Sequence, residues 1–113
     1  MSKYSTIVVG TDGSQSSLLA VERAAEIAAA LDATVTIGCA YYENQEEASK
    51  TLRQNSVTVL GDDPARKNLE SAVEAARRVG ATNIETAVRK GTPVEALMAI
   101  VKEVDADLLV VGN

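Results

Sequence analysis

The sequence predicts an α/β domain built on a doubly wound parallel sheet. Three observations predict it. Ile7-Val8-Val9 is an apolar, β-branched run without alternation, the pattern of a strand buried on both faces. Apolar runs alternate with helical stretches along the chain, and strands joined by helices require a parallel sheet with right-handed crossovers. The apolar residues, 46 % of the chain, are mostly Ala, Val, Leu and Ile, with only 3 Tyr and no Phe or Trp. Such small side chains let helices lie close on a sheet. A length of 113 residues fits one domain, spanning 1–113.

The first strand is expected over Tyr4–Gly10. Gly10-Thr11-Asp12-Gly13 forms the turn after it, and Ser14 is placed to cap a helix running to about Leu31. Leu18, Val21, Ala25, Ala28 and Leu31 follow helical spacing and form its buried stripe, with Glu22, Arg23 and Glu26 toward solvent. Asp32-Ala33 breaks the helix, and the second strand, Thr34–Tyr41, is again largely of buried type. Cys39 within it reads as a small buried hydrophobe.

From Tyr42 to Asp63 the chain is polar. A structureless loop of that length is unusual in a compact domain, so a short helix is expected over part of Glu46–Gln54. Val57-Thr58-Val59-Leu60 is expected to tuck against the body. The excursion reads as a surface loop or as a lid over a ligand. Asp62-Asp63-Pro64 supplies an acidic N-cap and a proline for the second helix. Its stripe is Leu69, Ala72, Val73 and Ala76, Glu74 and Arg78 are spaced as an ion pair, and Gly80 stops it.

The third strand, Asn83–Arg89, alternates with charges and reads as an edge strand. Gly91 permits the next turn and could lie near a ligand. Thr92-Pro93-Val94-Glu95 is a capping box with proline at the first helical position, opening a helix that runs to Val104. Asp105-Ala106-Asp107 leads into a central buried strand, Leu108–Gly112. The sequence stops one residue after that strand. The helix and neighbouring strand that would cover it are expected beyond, so the chain is read as truncated after strand 4.

Composition narrows the function. A formal net charge of −5 argues against nucleic acid or an anionic membrane surface as partner. It leaves small phosphate ligands open, because helix N-termini bind phosphate through backbone groups. No apolar run is long enough to span a membrane, and the N-terminus lacks a signal peptide's apolar region. A single cysteine, Cys39, fits a reducing cytoplasm. The chain has no His, which removes triad catalysis, His metal sites and the commonest general base. Walker, G-x-G-x-x-G and G-x-S-x-G patterns are absent. A receiver domain would need an acceptor Asp after the third strand, where Val88-Arg89-Lys90-Gly91 stands.

Asp12 is the sharpest candidate. It stands where the first strand meets the first helix, at the ligand end of such a sheet. An acid there can accept hydrogen bonds from ribose hydroxyls or hold a cation beside a phosphate. An ordinary turn Asp satisfying local N–H groups would occupy the same place. Asp105 and Asp107 lie at the opposite end of the sheet, and Asp62 and Asp63 read as capping residues.

Ile7-Val8-Val9-Gly10-Thr11-Asp12-Gly13-Ser14 resembles the opening of universal stress proteins. Ala33-Thr34-Val35-Thr36-Ile37, the Gly91-Thr92-Pro93 to Ile100 segment and Ala106-Asp107-Leu108-Leu109-Val110-Val111-Gly112 are similar to later units of that family, in order. The resemblance covers the whole chain and is weakest over 43–63. It implies a Rossmann-like sheet ordered 3-2-1-4-5, with strand 5 absent from this chain, and a homodimer formed through strand 5 in the complete protein. It implies binding of ATP or cyclic AMP, with Mg²⁺ possible alongside ATP. The implied nucleotide-binding residues are Gly10, Thr11, Asp12, Ala40, Val111 and Gly112, with no catalytic or metal-binding residue. The family's ATP-binding members continue as G-x2-G-x9-G-Ser/Thr from the glycine at position 112, and only that first glycine is here. The expected role is a cytoplasmic stress regulator or sensor with no enzymatic activity. The alternatives are a dimeric interaction module that binds no nucleotide, or a slow ATPase.

Overall fold

A computed structural model describes residues 5–43 and 59–112 of the chain. The elements follow in the order β1 (Thr6–Gly10), α1 (Gln15–Leu31), β2 (Thr34–Tyr41), α2 (Asp62–Arg78), β3 (Ile84–Lys90), α3 (Pro93–Val104) and β4 (Leu108–Val110). All strand pairings are parallel, and the four-stranded sheet is ordered β3-β2-β1-β4. This is the expected order without a fifth strand. The chain steps outward from β1 to β2 to β3, then crosses back over both to β4. Right-handed crossovers in opposite directions place helices on opposite faces. Accordingly α1 and α2 share one face, and α3 crosses β1, β2 and β3 on the other.

Register decides which side chains meet which helix. Ile7 stands beside Val35 and Leu108, and Val9 beside Ile37 and Val110. These residues and Cys39 pack with Ala20, Val21, Ala24, Ala25 and Ala28 of α1 and with Ala65, Leu69, Ala72 and Ala76 of α2. Leu18 and Leu31 flank that core half-buried. The alternate strand positions face α3. A Cβ on Gly10 would stand 2.9 Å from the Leu97 side chain, and one on Gly38 would stand 2.6 Å from Ile100. Those two glycines let α3 lie against the sheet. Cys39 is a free, buried thiol. Burial pushes its pKa up, opposed by a hydrogen bond from the Asn68 side chain.

The helix ends follow their sequence signals with one exception. Ser14 caps α1 by accepting from Ser17 N, and Thr92 and Glu95 form the full capping box at α3. At α2 the expected acidic N-cap is corrected. Gly61, with φ 82°, is the N-cap, and no side chain caps the helix. Asp62 and Asp63 lie inside the first turn, where they complement the helix dipole. The backbone reaches α2 through a conformation only glycine adopts easily, which moves the helix start ahead of the position that sequence rules assign. On this helix Asp62 pairs with Arg66 at 3.6 Å, and the Glu74–Arg78 pair does not form.

Two strands differ from expectation. β1 begins at Thr6, and Tyr4 lies outside the described residues. β4 spans Leu108–Val110, shorter than the expected Leu108–Gly112, and is half-buried at the edge of the four-stranded sheet, the place that the order 3-2-1-4-5 gives it with strand 5 absent. Its inner edge pairs with β1, and no described residue pairs with its outer edge. β3 forms the opposite edge, as its charges predict. The helix expected within Glu46–Gln54 lies outside the described residues. Val59 does tuck in: it is buried, and the Tyr42–Leu60 bridge pins it beside the end of β2.

Candidate functional site

The turn between β1 and α1 is a closed polar network. Thr11 N donates to Gly38 O at 2.8 Å and extends the ladder by one residue beyond β1. The buried Thr11 side chain accepts from Gly13 N at 3.1 Å and lies 3.1 Å from Ser17 Oγ. Ser17 Oγ donates to Ser14 O at 2.9 Å and accepts from Asp12 N at 3.3 Å. Its one proton is thereby used, so Thr11 is the donor between the two hydroxyls. Asp12 Oδ1 accepts from Ser14 N at 2.9 Å. Gly13, at φ 86°, allows the reversal that brings these groups together.

That network settles where the turn's backbone donors go. The N–H groups of Asp12, Gly13 and Ser14 all bond to side chains within the turn. The Asp12 carboxylate is held in one orientation by Oδ1, while Oδ2 accepts no hydrogen bond from a described residue.

A cavity of about 240 Å³ opens beside this turn, at the carboxyl ends of β1, β2 and β4. Gly10, Thr11, Asp12, Ala40, Val111 and Gly112 all line it. The sheet order makes β1 and β4 neighbours at the point where the chain reverses direction. In open α/β sheets that switch point leaves a crevice for ligands. Gly112 approaches closely: a Cβ there would stand 2.9 Å from Ala20 Cβ and 3.1 Å from Ser16 O. Gly91 does not line the cavity.

Sequence reasoning missed half of the wall. Pro93, Val94 and Leu97 from the start of α3 form one side. Gly38, Tyr42 and Val59 form the floor around the end of β2, and Ser17 completes the α1 side. Tyr42 and Val59 are fixed by Tyr42 N to Val59 O and Gly61 N to Tyr42 O, each 2.8 Å. Gly38 carried a signal, since a glycine inside a strand marks a close approach, and Tyr42 and Val59 belong to the excursion read as a surface loop or a lid. Val94 and Val111 are exposed at 69 % and 68 %, which gives the cavity an apolar rim.

Among the described residues that line the cavity, Asp12 is the one that carries a charge. Among the described residues no group of three or more His, Cys, Asp or Glu could hold a metal ion. No described helix is long and apolar enough to cross a membrane. Asp107, at the other end of the sheet, accepts from Ser5 N at 2.7 Å, Ser5 Oγ at 2.9 Å and Thr6 N at 3.0 Å. Asp105 ends α3 in a left-handed conformation at φ 53°. Neither belongs to the cavity.

Comparison with known proteins gives a consistent result. The model of the universal stress protein family matches residues 3–113. Universal stress protein Rv1636 of Mycobacterium tuberculosis H37Rv is 48 % identical over 115 residues, covering 100 % of this chain and 78 % of that protein. The crystal structure of Rv1636 superposes with a TM-score of 0.75 at 43 % identity, covering 100 % of this chain and 74 % of that one. A crystal structure of a universal stress protein in complex with cAMP superposes with a TM-score of 0.74 at 42 % identity, covering 94 % of this chain and 70 % of that one.

Proposed function

The chain belongs to the universal stress protein family, and from that premise we propose that its cavity binds an adenine nucleotide, ATP or cyclic AMP. One observation carries the reading. Residues from β1, its turn, β2 and the segment after β4 converge on one apolar cavity, where a fixed carboxylate has one oxygen that no described residue uses. A flat, weakly polar base suits apolar walls, and ribose hydroxyls need an acceptor. Asp12 Oδ2 supplies that acceptor. Thr11 holds the turn, and the backbone at Ala40 borders the base. Val111 and Gly112 bound the opposite side. A relative 42 % identical crystallises with cAMP, which supports this ligand class.

The protein then acts as a binding regulator or sensor in the stress response, in the cytoplasm, and as a homodimer when complete. The chain has no His, and the described residues of the wall carry no second acid or base to pair with Asp12. Such a wall binds better than it catalyses. It also supplies no metal cage, so any Mg²⁺ arrives on the phosphates of ATP.

Titration calorimetry with ATP and cyclic AMP tests the proposal. Heat of binding for at least one of them is expected below millimolar concentration. Silence for both defeats it.

A further inference from the structure

Helix α2 reaches the β1–α1 turn through a polar side chain that is out of pattern. Asn68 stands three residues after Ala65 and four before Ala72, so it shares the face that α2 buries. Ala65, Leu69, Ala72 and Ala76 on that face are apolar. The fold shows what the amide does among them. A Cβ built on Gly13 would stand 2.6 Å from Asn68 Oδ1 and 2.9 Å from Asn68 Cγ. The amide therefore fills the space that Gly13 leaves beside the turn. Its Nδ2 donates to Cys39 Sγ at 3.9 Å, on the residue before Ala40. Asn68 thus bears at once on the turn and on the end of β2, and both border the cavity that Asn68 itself does not line.

The turn gains from such a support. Asp12 Oδ1 is held by Ser14 N, and the bonds of Thr11 and Ser17 around it are all local. Gly13 lies between the Asp12 carboxylate and its donor, at φ 86°, and has no side chain of its own to pack. A swing at Gly13 would move the donor and the carboxylate together. Asn68 blocks that swing from another helix. The surroundings of Cys39 agree with this placement. Burial raises the thiol pKa, the Asn68 hydrogen bond lowers it, and the Asp12 charge raises it further, so Asp12 and Asn68 stand around one thiol.

We propose that Asn68 is a positioning residue for the nucleotide site: from outside the cavity it wedges Gly13 and so holds Asp12 in the orientation that a ribose meets. The inference rests on the adenine-site reading above and adds to it a residue that touches no ligand. The wedge works by shape. Leucine has nearly the shape of asparagine without its hydrogen bonds, so Asn68→Leu keeps the wedge and Asn68→Ala removes it.

Titration calorimetry with cyclic AMP and ATP compares the unaltered chain, Asn68→Ala, Asn68→Leu and Glu70→Gly, and places Asn68→Ala in an Asp12→Ala background. Asn68→Ala is expected to weaken binding by about three- to ten-fold, in the lower part of the range for residues coupled by contact. Asn68→Leu should bind nearly as well as the unaltered chain. Glu70 is exposed on the outer side of α2, where glycine loosens the helix without reaching the turn, and its affinity should not move. With Asp12 already replaced, Asn68→Ala should cost nothing further, because it acts through Asp12. Full affinity in Asn68→Ala would overturn the wedge. So would a loss that Asn68→Leu fails to repair, an equal loss in Glu70→Gly, or a loss that persists undiminished without Asp12. Each of these leaves the adenine site standing, whereas no binding of either nucleotide by the unaltered chain would remove both.

Discussion

Two aspartates stand at opposite ends of the same sheet and are used in opposite ways. Asp107, at the amino ends of the strands, takes three hydrogen bonds from Ser5 and Thr6 on one oxygen, Oδ2. They tie the start of β1 to the start of β4. Asp12, at the carboxyl ends, takes one hydrogen bond from a described residue and lines a cavity. An acid at the start of one strand whose donors all come from the start of its neighbour is a clasp. An acid fixed by a single local donor, with room in front of it, is available to a ligand. The same residue type therefore reads as structure or as site according to what its neighbours already supply.

The largest expected effect removes what both ends rest on. Ile37 is fully buried in the core between β2 and the α1–α2 layer. Ile37→Ala should destabilise the fold by about 2–5 kcal/mol, through lost transfer energy and the cavity left behind. Urea unfolding reads this, and a much smaller loss would mean that the core is not the common support of the two ends.

Next comes the open end. Asp12→Ala should weaken cyclic AMP binding by about 1–3 kcal/mol if its spare oxygen takes a ribose hydroxyl. Unchanged affinity would make Asp12 a turn residue like any other. Thr92→Ala removes the capping box that starts α3, whose first turn forms one side of the cavity. A loss of about 0.5–2 kcal/mol in stability is expected, with a smaller change in affinity than Asp12→Ala causes. The reverse ranking would place the recognition on α3.

Smallest is the closed end, where water can replace lost partners. The Asp107 carboxyl sits below its ordinary 3.8, held there first by Ser5 N–H, then by Thr6 N–H and the Ser5 hydroxyl. Its folded pKa is below the unfolded one, so the unfolded chain takes up the proton first as pH falls. The stabilisation is fully present above the ordinary carboxylate range and is lost as pH drops through the folded value. Asp107→Ala should therefore lower the unfolding midpoint at neutral pH, with the gap to the unaltered chain closing as pH falls below the ordinary carboxylate range. Ligand affinity should not move. A gap that persisted in acid would mean that the clasp does not depend on the charged carboxylate.

Local chemistry made most of the fold legible. The runs at Ile7-Val8-Val9 and Thr34–Tyr41 mark buried strands, and Ser14 and Thr92 mark helix starts that the backbone obeys. Asp62 misled because capping rules score a side chain, whereas Gly61 begins that helix through its positive φ. β4 is shorter than its apolar run because the ladder with β1 ends at Val110, and Val111 and Gly112 line the cavity instead. The site divides along the same line. Glycines and an acid at a strand end can be seen in sequence. Val59, Tyr42 and Leu97 reach the cavity only because the sheet order and the crossing of α3 bring them there.

The contact between Asp12 and a ribose is tested most directly by a thermodynamic cycle. Adenosine and 2′,3′-dideoxyadenosine are titrated into the unaltered chain and into Asp12→Ala. Loss of the hydroxyls should cost affinity against the unaltered chain, by about 1 kcal/mol or more, and cost nothing further against Asp12→Ala. Equal binding of the two ligands to the unaltered chain, or the same loss in both proteins, would contradict a ribose held by Asp12.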